Sequence, residues 1–218
     1  DLTFKVNQDS DSTIISAEVS PAGAINLIDH CSSVVKRLMF KGVMCRGYIT
    51  KGKIAYINQT YIGSGFIKAY KEETNVTAFQ LEADHLATGK RSTPFVEIDP
   101  LVCEYIEQST DDCVREMFNR TTKTRNNVTA LFPFNELTPW FAITPSFVPD
   151  REKKSIQNAK AFLGKLIDEI ERFADRSNEK AWQKGQCYIE ALSAQLDKCD
   201  QMLGDIDNLS SRFPKDSH

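Results

Sequence analysis

No stretch of this chain approaches the ~18–20 consecutive apolar residues of a membrane-spanning helix, so a membrane partner is not expected. Basic residues are not in excess: 27 Lys+Arg stand against 30 Asp+Glu, a net charge of −3. A nucleic-acid partner normally leaves a basic footprint, so none is expected here. Histidine is scarce. Only His30, His85 and His218 occur, none in an HExxH pattern or a Cys/His cluster, which argues against the usual zinc centres. The GxSxG elbow, the P-loop signature and a GxGxxG after a strand are all missing, which removes most common hydrolase, NTPase and dinucleotide-binding classes. Cys31, Cys45, Cys103, Cys113, Cys187 and Cys199 form no CxxC pair, and several fall on apolar helix faces as free core thiols do. A reduced, cytoplasmic setting is therefore expected. Sequons at Asn58, Asn75, Asn119, Asn127 and Asn208 are the opposing sign, although Asn58 and Asn208 fall in apparent regular structure.

What is present is ordinary for a globular chain: 218 residues, 41% hydrophobic and 26% charged, enough to bury a core. Thr3–Val6 and Thr13–Val19 alternate and predict a hairpin across a polar turn. Ile25, Ile28, Cys31, Val35 and Leu38 predict a helix over Ala22–Phe40, after Pro21. Arg46–Thr50 and Lys53–Asn58 read as a second hairpin with a tight Lys51-Gly52 turn, and a long helix is predicted from Phe66 to about Ala87, ended by Gly89. Phe95–Ile98 reads as a strand, Leu101–Gln108 as helical turns, and Thr110–Asn127 as a helix plus loop. With Pro133, Pro139 and Pro145, Leu131–Val148 reads as irregular. Beyond Asp150, apolar residues step by three and four through Ala159, Leu163, Leu166, Ile170 and Phe173. After a break they do so again through Ile189, Leu192, Leu196, Cys199, Leu203 and Ile206, as in a helical hairpin.

Two places carry chemical possibilities. Gly63-Ser64-Gly65 opens a helix and can present backbone N–H groups to an anion, with Lys68 and Lys71 on one face behind it. The same lysines also suit a plain solvated face. Asp9, Ser10 and Asp11 occupy a turn where a carboxylate is reachable by Mg²⁺ or Mn²⁺, although Asp and Ser favour turns for conformational reasons alone.

Ser10-Asp11-Ser12, Arg46-Gly47-Tyr48-Ile49-Thr50-Lys51-Gly52, Gly63-Ser64-Gly65, Ala69-Tyr70, Glu73 and Pro94–Asp99 together resemble, in order and spacing, the class III nucleotide cyclase catalytic domain. The likeness is to the divergent bacterial branch that includes the pyrimidine cyclases of anti-phage defence, and it covers Leu2–Glu107. It implies conversion of a nucleoside triphosphate to a 3′,5′-cyclic monophosphate and pyrophosphate, with Mg²⁺ or Mn²⁺ held by Asp11 and by Asp1. Gly63, Ser64, Gly65 and Lys68 would meet the phosphates, Asn7 the base, and Lys71 and Arg46 would supply catalytic charge. A homodimer with shared active sites is also implied. Two departures stand out. Asp1-Leu2-Thr3-Phe4-Lys5 is one residue short of the first metal motif and far too close to Asp11, which implies either a segment missing near Val6 or Asn7 or a motif lying outside this sequence. Ile67 and Lys71 stand where the family has asparagine and arginine.

The expected fold is α+β, with a ferredoxin-like, cyclase-type mixed sheet over residues 1–148 and an α-helical hairpin over 149–212. The expected function is that of a nucleotide cyclase. The alternative is a catalytically degenerate cyclase-fold protein that binds a nucleotide or a protein partner.

Overall fold

The computed structural model describes residues 3–57, 60–81, 92–135 and 147–212. It is an α+β protein that ends in a pair of long helices, as expected. The chain divides into two compact units, Asp1–Pro133 and Phe134–His218.

The first unit opens with β1 (Phe4–Asp9) and β2 (Ser12–Ala17), antiparallel from Phe4↔Ala17 to Asp9↔Ser12. The strands run through the polar stretch expected to be a long turn, leaving only Ser10 and Asp11 at the tip, with Ser10 at φ 55°. Pairing is unbroken along β1. Helix α1 (Pro21–Met39) begins where Ser20 accepts from the Gly23 N–H and Pro21 needs no donor partner. It buries Ile25, Ile28, Ser32, Val35 and Met39.

A four-stranded mixed sheet has the order β3-β6-β8-β7. It is built from β3 (Gly47–Ile49), β6 (Val96–Ile98), β7 (Thr122–Arg125) and β8 (Val128–Leu131). β3 and β6 are parallel, and the other neighbours are antiparallel. Helices α3 (Pro100–Glu107) and α4 (Asp112–Thr121) join α1 in one core with the sheet, through Ile28, Val35, Ile49, Ile98, Val102, Ile106, Val114, Phe118 and Leu131.

Three expectations are corrected here. The Arg46–Thr50 segment does not fold back on Lys53–Asn58. β3 lies beside β6, while β4 (Ala55–Ile57) pairs with β5 (Thr60–Ile62). Gly52 is used for close approach rather than for a turn, since a Cβ there would lie 2.6 Å from the backbone N and Cα of Gly65. Helix α2 (Ser64–Glu73) stops far short of Ala87, because Thr74 Oγ1 and Asn75 Nδ2 both donate to the Lys71 carbonyl as the helix ends. Residues 82–91, with His85 and Gly89, lie outside the described residues. Finally, Thr110–Asn127 is α4 followed by a strand, and Asn126-Asn127, both at positive φ, turn β7 into β8 as a two-residue hairpin requires.

In the second unit α5 (Pro149–Phe173) buries Ile156, Ala159, Leu163, Leu166 and Ile170, while Phe173 is exposed. Helix α6 (Glu179–Arg212) packs along α5 and buries Cys187, Tyr188, Ala191, Leu192, Gln195, Cys199 and Ile206. Lys153–Asp207 and Lys160–Asp200 ion pairs cross between the two helices. Gln195, not Leu196, occupies the buried position of that turn, and among the described residues neither its amide oxygen nor its nitrogen has a hydrogen-bond partner.

Candidate functional site

The glycine loop is fixed by the strand link that precedes it. Gly63 has φ 147°, a value that favours glycine, and a Cβ there would meet the Lys53 carbonyl oxygen at 2.1 Å. The Gly65 N–H donates to that same carbonyl at 3.0 Å, and Ser64 Oγ accepts from the Lys53 N–H at 3.2 Å. The glycines expected to meet a phosphate thus let residues 52–54 lie against the start of α2. Helix α2 has no side-chain cap at its N-terminus.

Tyr61, on β5 just before the loop, links it to the acidic turn. Its hydroxyl donates to Asp9 Oδ2 at 3.3 Å, and its ring meets Phe66 edge-on with centroids 4.6 Å apart. Burial, then the Asp9 carboxylate beside it, raise the Tyr61 hydroxyl above the usual phenol range. Tyr56, from β4, pairs with the Ser16 hydroxyl at 2.5 Å and lies under the Lys5 ammonium. The hairpin carrying Asp11 and the ribbon leading to Gly63 thus share an interface of side chains. Asp11 is exposed at the tip, and Asn7 is half-buried in β1 opposite Ile14.

Two of the three cations expected to act at the site, Arg46 and Lys68, are engaged by carboxylates. Arg46 Nε donates to Glu73 Oε1 at 2.5 Å and its Nη1 to Ser92 Oγ at 2.6 Å, tying the approach to β3 to the end of α2. Lys68 Nζ lies 2.5 Å from Asp99 Oδ2, which also accepts from Thr50 Oγ1, while Asp99 Oδ1 accepts from the Leu101 N–H at the start of α3. Burial pushes the Asp99 carboxyl up, but Lys68, Thr50 and the Leu101 N–H outweigh it and hold the group below the usual carboxylate range. Lys71 is exposed on α2, and so is Ile67. Asp1 lies outside the described residues.

Asp99 is the side chain at this place that the sequence does not single out. Its place before Pro100 marks a helix start, but its partnership with Lys68, 31 positions away, is a product of the fold. Tyr61 and Glu73 were likewise silent about their partners.

Among the described residues no group of three or more His, Cys, Asp or Glu gathers into a metal cluster. Mg²⁺ commonly takes one or two carboxylates, with phosphate oxygens and waters for the rest. Asp11, with Asp9 across the turn, matches that smaller requirement, though one Asp9 oxygen already receives Tyr61.

In comparisons with known proteins, no family model matches the chain, and no curated protein or solved structure matches it. No helix among the described residues is long and apolar enough to cross a membrane.

Proposed function

We propose that this chain is a nucleotide cyclase-like protein that takes a nucleoside triphosphate between the Asp9–Asp11 turn and the Gly63–Gly65 loop. The observation that carries this is the Asp9–Tyr61–Phe66 chain, which brings an exposed acidic turn beside a glycine loop at a helix start. An anion is favoured at such a start by the helix dipole, the Gly65 N–H being already given to the Lys53 carbonyl, and Lys71 adds exposed positive charge along α2. A divalent ion, Mg²⁺ or Mn²⁺, would be held by Asp11 and would neutralise phosphate charge. In this function Asn7 faces the base and a homodimer completes the site, in a cytoplasmic setting, with pyrimidine cyclisation in anti-phage signalling as its sharpest form.

The second function is binding without turnover. It is favoured by one observation: Arg46 and Lys68, two of the cations such chemistry would call on, are held in ion pairs with Glu73 and Asp99. One experiment separates the two. The purified chain is incubated with each of the four NTPs and Mn²⁺, cyclic products are sought by mass spectrometry, and binding is followed with a fluorescent NTP. Cyclic product that is lost in Asp11→Ala supports the cyclase. Binding without product supports the second function. Absence of binding to every NTP, by a chain with native circular dichroism, refutes both.

A further inference from the structure

We draw no further inference here: the strongest candidate, the outward face of the β4–β5 ribbon that carries Ala55, Ile57, Thr60 and Ile62 on the side away from Tyr56 and Tyr61, is an exposed apolar face, and nothing in the structure shows what covers it.

Discussion

Replacing Gly63 with alanine tests whether the glycine loop is first a packing junction. The new Cβ would lie 2.1 Å from the Lys53 carbonyl oxygen and 2.8 Å from its carbon, both of them backbone atoms that cannot step aside as a side chain can. The residue's φ of 147° and ψ of 168° fall in a region used essentially by glycine alone. Holding an L-residue there costs about 1–3 kcal/mol, and forcing extra volume into a packed contact adds about 1–3 kcal/mol. Relaxation shares some of that strain, so a loss of about 3–4 kcal/mol is expected, from a total that is typically ~5–15 kcal/mol. For a chain of this size that is a fall in melting temperature of about 6–16 °C. Urea unfolding of ligand-free Gly63→Ala, followed by circular dichroism, measures it. Loss of the Gly65 N–H to Lys53 carbonyl bond should also appear as faster amide exchange at Gly65. A variant whose stability stays within about 0.5 kcal/mol of wild type, the usual span of a neutral surface change, would refute the packing account. If such a variant also lost nucleotide affinity, the glycine would serve the ligand alone.

Two further outcomes are expected. Gln195→Leu should stabilise the α5–α6 unit by about 1–3 kcal/mol in chemical denaturation, because it removes two buried amide atoms that have no partner. A loss of stability would mean that the amide is satisfied. Asp99 has a depressed folded-state pKa, so its contribution to stability is present above the ordinary carboxylate value of about 3.9 and disappears as pH falls through the lower folded-state value. Urea midpoints measured between pH 7 and pH 2.5 should therefore fall more steeply for wild type than for Asp99→Asn, and parallel curves would contradict the assignment.

Where a helix or strand meets a core on one side, the sequence predicted it well. Ile25, Ile28 and Val35 mark the buried face of α1, and Leu163, Leu166 and Ile170 that of α5. Strand partnership was not legible. Val96–Ile98 lies parallel to Gly47–Ile49 although 46 residues intervene between them, and nothing in three-residue strands records which neighbour they choose. Alternation alone also invited the wrong hairpin, since Lys51-Gly52 carries the composition of a turn while its glycine answers to Gly65. In the candidate site the charged residues were visible and their partners were not. Lys68 and Arg46 look like free cations on paper, and only the fold brings Asp99 and Glu73 to them. The β7–β8 hairpin was missed although its signal was present: Asn126-Asn127 is a residue pair suited to left-handed turns, set between two short alternating runs.

The bond from the Gly65 N–H to the Lys53 carbonyl closes the β4–β5 excursion at its base. Once the base is clasped, the length of chain between the two ends matters little to the rest of the domain, because doubling a loop costs only about 0.6 kcal/mol in closure entropy. Apart from Tyr56 and Tyr61, which hold the β1–β2 hairpin, the stretch from Ile54 to Ile62 is thus open to changes of sequence or length that leave α2 and the sheet in place. Variation among relatives, and any engineered insertion, should gather there before it reaches Gly52, Gly63 or Gly65.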